Sequence, residues 1–207
     1  MKRKLLAFAI VVFIFGKGFG QERGNVEYGF GVGYSTSTVT ENNTSSNGTY
    51  RHAMNIAVSA DYYFSDRWSL KGKLIYDLKG WRNNDIFYAG YNDPYNSSDY
   101  NLNYFTVPIM ANWHFGRTRN WYLNFGPYIG FLAQAKALPN QDNIKSAFNS
   151  IDGGFAFDIG VKIPLSNQIK FFVELEGTGG AANIVKTTDG SSINNSRGSL
   201  NIGFNFL

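Results

Sequence analysis

Ser199-Leu200-Asn201-Ile202-Gly203-Phe204-Asn205-Phe206 closes the chain with an unbroken alternation. Every even position is apolar and every odd one is small or polar. Successive side chains of a β-strand point to opposite faces, so this segment predicts a strand with one apolar and one polar face.

Working back from it, the same period recurs seven times. Ile169, Phe171, Val173 and Leu175 oppose Lys170, Glu174 and Glu176. Phe155, Phe157, Ile159, Val161 and Ile163 oppose Asp158 and Lys162. Leu123, Phe125, Ile129 and Phe131 oppose Asn124, Gly126 and Tyr128. Phe105, Val107, Ile109, Ala111, Trp113 and Phe115 oppose Thr106, Asn112 and His114. Trp68, Leu70, Leu74, Tyr76 and Leu78 oppose Lys71, Lys73, Asp77 and Lys79. Met54, Ile56, Val58, Ala60 and Tyr62 oppose Asn55, Ser59 and Asp61. Val26, Tyr28, Phe30, Val32 and Tyr34 oppose Glu27 and the glycines 29, 31 and 33, which leave room for a large inward neighbour such as Tyr128.

The connections sharpen the reading. Short turns at 65–67, 116–120 and 165–167 alternate with long polar segments at about 39–49, 82–99, 136–150 and 183–197. Strict alternation of short and long connections is the plan of an outer-membrane barrel, with short periplasmic turns and longer external loops. The expected fold is therefore all-β: an eight-stranded, antiparallel, up-and-down transmembrane β-barrel. Aromatic residues crowd the short-turn ends, with Tyr62, Tyr63, Phe64, Trp68, Trp113, Phe115, Trp121, Tyr122, Phe171 and Phe172 there. A second set, including Tyr34, Tyr50, Tyr76, Trp81, Tyr100 and Phe131, lies toward the long loops. Two aromatic belts suit the two membrane interfaces, and Tyr62, Trp68, Trp113, Phe115, Trp121 and Phe171 are the expected periplasmic girdle. A soluble sandwich would instead bury this apolar face.

If the apolar face meets lipid, the polar face fills the lumen. The expected luminal cluster is Asp61, Lys71, Lys73, Asp77, Lys79, Asp158, Lys162, Lys170, Glu174 and Glu176. An eight-stranded barrel is just wide enough for side chains to fill, and balanced charges in so narrow a space point to cross-lumen pairing.

The first residues carry an address. Lys2-Arg3-Lys4 precedes the apolar run Leu5–Phe15, and Gly18-Phe19-Gly20 leads to Gln21. This is the three-part pattern of a cleaved secretory signal peptide. Residues 1–20 are the expected signal, cut between Gly20 and Gln21, and residues 21–207 the barrel domain in the outer membrane. Without Lys2, Arg3, Lys4 and Lys17, the 19 basic residues fall to 15 and match the 15 acidic ones. The basic pI thus gives no reason to expect nucleic-acid binding.

Candidate chemistry is sparse. There is no cysteine, hence no disulfide, thiolate metal site, Cys nucleophile or lipid-bearing Cys. The only histidines, His52 and His114, fall on different strands, a poor basis for a shared metal site. No catalytic, cofactor or metal site is expected. Gly177-Thr178-Gly179-Gly180 lacks the Lys and the strand–helix context of a phosphate loop. The segment 82–99 mixes Tyr88, Tyr91 and Tyr95 with Asp85, Asp93 and Asp99, a composition suited to packing over the barrel mouth or to binding a sugar or protein.

Three stretches resemble the PorT-like outer-membrane β-barrel proteins of Bacteroidetes-type bacteria. They are Phe105-Thr106-Val107-Pro108-Ile109-Met110 running into Trp113-His114-Phe115-Gly116, Trp121 to Gly130 with its Gly126-Pro127-Tyr128, and Asp152-Gly153-Gly154 leading to Phe157-Asp158-Ile159-Gly160. The chain departs from the pattern at its end, where Leu207 follows the aromatic Phe206. The resemblance implies an integral outer-membrane barrel without enzyme activity.

Three functions are compatible with this reading. The leading one is a non-enzymatic structural or interaction barrel, monomeric, with outer-membrane lipid around it and a protein or glycan partner at its external loops. The alternatives are a small channel or porin-like transporter, and an outer-leaflet lipid-modifying enzyme built around His52.

Overall fold

The computed structural model describes residues 23–41, 49–82, 99–186 and 192–207. The expected signal peptide with its Gly20–Gln21 junction, and most of the segment 82–99, lie outside the described residues. Eight long strands make the wall: β1 (Val26–Glu41), β2 (Thr49–Tyr63), β3 (Trp68–Arg82), β4 (Asp99–Phe115), β5 (Trp121–Leu138), β6 (Ile151–Pro164), β7 (Ile169–Gly180) and β8 (Ile193–Phe206).

Each strand pairs antiparallel with the next. The last returns to the first, in register from Tyr28↔Phe206 to Glu41↔Ile193. The sheet is closed and has no edge. Closure is what a membrane demands of a sheet, because an edge in hydrocarbon leaves N–H and C=O groups without partners. Pro108 and Pro127 cannot donate to a ladder, and the β3–β4 and β4–β5 ladders skip a step beside them.

The surface is inside out relative to a water-soluble protein. Phe155 is 69 % exposed, Leu175 58 % and Met54 56 %, while Asp77, Lys79, Asp158 and Lys162 are 0 % exposed. An apolar exterior over a polar interior is the signature of a barrel that uses lipid as its solvent.

The strands run 12 to 18 residues, whereas about 9–11 suffice to cross a bilayer. Their upper ends stand clear of the membrane, and there the pattern reverses. Val39, Trp81, Tyr100, Leu102, Leu132 and Ile193 point inward. They meet Ile144, Ala147 and Phe148 of the β5–β6 connection and Ile184 and Val185 of the β7–β8 connection. A small apolar core thus caps the outer mouth. It is built over a two-residue ribbon at Asp142–Asn143 and a single 3-10 turn at Lys145–Ala147.

This reversal corrects part of the sequence reading. Trp81 and Tyr100 belong to the cap, packed ring to ring at 4.8 Å, and not to an outer aromatic belt. Tyr63, Tyr122 and Phe172, read into the lower belt, also face inward and are buried. The strands extend past their expected upper ends, taking in 39–41, 136–138 and 193–198. Where 39–41, 136–138 and 193–195 stand above the membrane the outward face is wet, and just below them the outward Ser196 and Gly198 are too small to show the apolar-out alternation of the lower halves.

The inward glycines receive different neighbours from the one expected. Phe172 lies over Gly31 and Gly203, where an added Cβ would sit 2.8 and 2.7 Å from its ring. Tyr122 occupies the equivalent hollow at Gly160, 2.4 Å from a Cβ position. Tyr128 reaches Asp152 near the cap instead of the β1 glycines.

Candidate functional site

The lumen holds the densest chemistry in the molecule. All ten residues of the expected luminal cluster lie inside, none more than 8 % exposed. Glu27, Arg51, Asp152 and Arg197 join them, so seven acidic and seven basic side chains share the interior among the described residues. They form a column that runs from the periplasmic mouth to the cap.

At the bottom, Glu27 lies between two ammonium groups. Lys170 Nζ is 2.6 Å away, Lys162 Nζ makes a second ion pair, and Asn205 Nδ2 donates at 2.6 Å. Lys162 also donates to Asp61 at 3.2 Å and to the Tyr63 hydroxyl at 2.9 Å. Asn112 Nδ2 donates to the same Asp61 oxygen at 2.8 Å. His114 is buried beneath this group, with its ring 5.1 Å from Tyr63 and 6.1 Å from Tyr122.

The middle is a three-carboxylate cage around one cation. Lys73 Nζ donates to Asp158 Oδ2 at 2.7 Å, Glu174 Oε1 at 2.5 Å and Glu176 Oε2 at 2.7 Å. Period-2 geometry sets two of these acids on one face of β7, and the register Asp158↔Glu176 puts the third beside them. The three carboxylates lie within 4.8 Å of one another, a spacing suited to a divalent cation, but the lysine ammonium already sits among them and meets all three. Lys71 adds a weaker contact to Glu174 at 3.3 Å, while Tyr122 donates to Glu174 at 2.9 Å.

Tyr122 also joins the lower and middle tiers. Lys71 lies 4.9 Å from its ring centre and Lys162 5.4 Å, so one aromatic ring serves both cations. Above, Arg197 bridges Glu176 at 2.5 Å and Asp77 at 2.9 Å. Lys79 pairs with Asp152 at 3.0 Å, lies 3.8 Å from Asp77, and is flanked by the rings of Tyr104 and Tyr128. Arg51 donates to the Lys79 carbonyl under the cap.

Arg197 escaped the sequence reading because it sits in Asn194-Asn195-Ser196-Arg197-Gly198, which has no apolar alternation and reads as loop. Glu27 was legible as inward-facing, but its role at the mouth shows only once the register brings it to Lys162 and Lys170. A cavity of about 20 Å³ is lined by Asn55, Ser59, Lys71, Lys73, Glu174 and Asn201 among others, room for about one water.

On the outside, Trp68, Trp113, Phe115 and Trp121 run as a continuous aromatic band near the short turns, with neighbouring ring centres 5.2 to 6.4 Å apart. Tyr62 is exposed beside them, and Phe171 lies half-buried at 5.5 Å from Phe204. His52 faces outward and stacks on Tyr34 at 5.8 Å. The two histidines are thus separated by the barrel wall.

A closed sheet of eight strands, apolar outside and packed with charge inside, defines an integral protein of the bacterial outer membrane. The chain belongs to the outer membrane protein beta-barrel domain family, whose model matches residues 19–186. Solved structures share the fold. OprG from Pseudomonas aeruginosa aligns over 90 % of this chain and 98 % of its own, at 12 % identity and TM-score 0.53. Neisserial surface protein A aligns over 86 % and 96 %, at 11 % identity and TM-score 0.52. AlkL, solved in lipid bilayers, aligns over 92 % of both chains, at 12 % identity and TM-score 0.52. No curated protein matches the chain by sequence.

Proposed function

We propose that this barrel is a plugged, non-enzymatic interaction scaffold whose external connections form its contact surface. The observation that carries the reading is the interior itself. Charged side chains and aromatic rings occupy it from Lys170 to Arg51, and the apolar cap lies across the outer end. Such a lumen holds the wall rigid and leaves the variable chemistry to the loops. The luminal cluster is then a structural core of ion pairs, and the Trp68–Trp113–Phe115–Trp121 band with Tyr62 and Phe171 an anchor at the periplasmic interface.

Membership of the PorT-like branch fits this role. The segment 105–130 that carries the resemblance builds the β4–β5 hairpin, the pair that includes the longest strand. The lipid-enzyme alternative has less support, because the outward His52 is stacked on the Tyr34 ring. We also propose export by the segment 1–20, with the mature chain starting at Gln21.

The test is a barrel whose connections 42–48, 83–98, 139–150 and 181–192 are replaced by short turns. On a gel it is expected to keep the mobility shift between unboiled and boiled samples, with its N-terminus reading Gln21. On intact cells, a membrane-impermeant crosslinker should join the parent barrel to a partner and leave the short-turn barrel alone. Identical cross-linked species from both would refute the loops as the contact surface.

A further inference from the structure

One flank of the outer rim combines two features that the plugged-scaffold role does not use. The first is a set of lysines. Lys136 Nζ donates to Gln141 Oε1 at 3.1 Å, Lys145 Nζ to the Ala133 carbonyl at 3.3 Å, and Lys186 Nζ to the Ser146 carbonyl at 3.0 Å. All three thus gather on residues 133–146. Among the described residues, none of the three is ion-paired with a carboxylate. The only acid within 133–151 is Asp142, which pairs through its backbone with Ala137. Each ammonium has three donors, and one is engaged here. Lys145 reaches Ala133, two residues above Phe131, the last exposed aromatic of β5. Its charge therefore stands at the upper border of the apolar wall.

The second feature lies below. Gly177 and Gly179 face outward on β7, and the exposed rings of Phe125, Phe155 and Phe157 stand beside them. Together with Ser196 they shape a groove of about 550 Å³, within the size range of ligand clefts. The space where a Gly179 side chain would stand is open. Phe155 is four residues below Ile151, about 13 Å along the strand, so the groove sits at the depth of the outer-leaflet chains. The bilayer itself covers this face, which makes a lipid its natural occupant. Cations at the border complement an anionic headgroup.

We infer that this flank binds a phosphate-bearing lipid of the outer leaflet, its chain in the Gly177–Gly179 groove and its phosphate at Lys136, Lys145 and Lys186. Of the paired charges of the lumen only Arg197 borders the groove, and its guanidinium is held inside by Glu176 and Asp77. The lysines supply selection by charge, and the glycine floor supplies selection by shape.

The test uses the full barrel in phosphatidylcholine nanodiscs doped with bis-phosphorylated lipid A or its dephosphorylated form, with retained lipid counted by native mass spectrometry. The parent protein is expected to retain the phosphorylated form selectively. The triple variant K136Q/K145Q/K186Q is expected to bind it about a hundredfold more weakly, at roughly fivefold per lysine. Gly179→Leu fills the groove while leaving the lysines in place, and is expected to reduce retention of both forms. Unboiled gel mobility shows that each variant is folded. Equal retention of the two lipid forms, or a triple variant that binds like the parent, would overturn the inference. So would a dimer that excludes lipid from the groove.

Discussion

Replacing Lys73 by methionine is expected to destabilise the folded barrel by about 3–5 kcal/mol, the usual cost of removing one partner from a buried ion pair. Lys73 is the cation to which Asp158, Glu174 and Glu176 all turn, and its side chain is 4 % exposed. Without it three carboxylates face one another with water nearly excluded. Lys71 can compensate only Glu174, and from 3.3 Å, while Arg197 already holds Glu176. The measurement is a urea titration of the barrel in lipid vesicles, with the folded fraction read from unboiled gel mobility. Lys73→Arg keeps a cation in the cage and should lie close to the parent. Lys73→Met combined with Glu176→Gln removes one of the stranded charges and should recover part of the loss. A parent-like midpoint for Lys73→Met would mean that the cage is not a structural core.

The second large effect is expected at the seam where the cylinder closes. Gly203→Leu should prevent β8 from docking on β1 and leave no heat-modifiable species in the membrane fraction. Gly203 pairs with Gly31, and a Cβ on it would stand 2.1 Å from the Phe30 carbonyl oxygen and 2.6 Å from Gly31 Cα. Those are backbone atoms and cannot swing aside. The Phe172 ring at 2.7 Å closes the remaining direction. Overpacking of a core commonly costs about 1–3 kcal/mol, but here the clash falls on the last ladder, whose failure opens an edge in lipid. Gly72→Leu serves as the control, since the space about its Cβ position is open. A folded, heat-modifiable Gly203→Leu barrel would show that the seam can yield.

Much of this was legible in the sequence for a simple reason. In the lower two-thirds of the barrel, lipid and lumen impose opposite demands on alternate residues, so Leu200, Ile202 and Phe204 announce the wall as clearly as Asn201 and Asn205 announce the interior. Inwardness could be read residue by residue for Lys73 or Glu174. What could not be read was tier and partner, because the lumen is crossed by contacts between residues far apart in the chain, such as Glu27 with Lys162. Local pattern carries no trace of such a pair.

The upper third was misread for the opposite reason. There the outside of the wall meets water, the inside meets an apolar cap, and the hydrophobic phase inverts. Trp81 and Tyr100 thus looked like belt residues while pointing into a small core, and Ile193 to Asn195 looked like loop while pairing with β1; just below, Ser196 to Gly198 lack the large outward side chains of the wall but pair with both β1 and β7. A sequence rule that allowed the apolar phase to switch sides once per strand would have recovered both.

The most direct test of the plugged scaffold is electrical. Purified barrel inserted into a planar bilayer at neutral pH should give a flat current trace across the usual voltage range, because the Lys73 cage and the cap close the same narrow bore twice. Discrete, reproducible openings that change size when Lys73 or Glu174 is neutralised would contradict the plugged lumen and make the barrel a small channel.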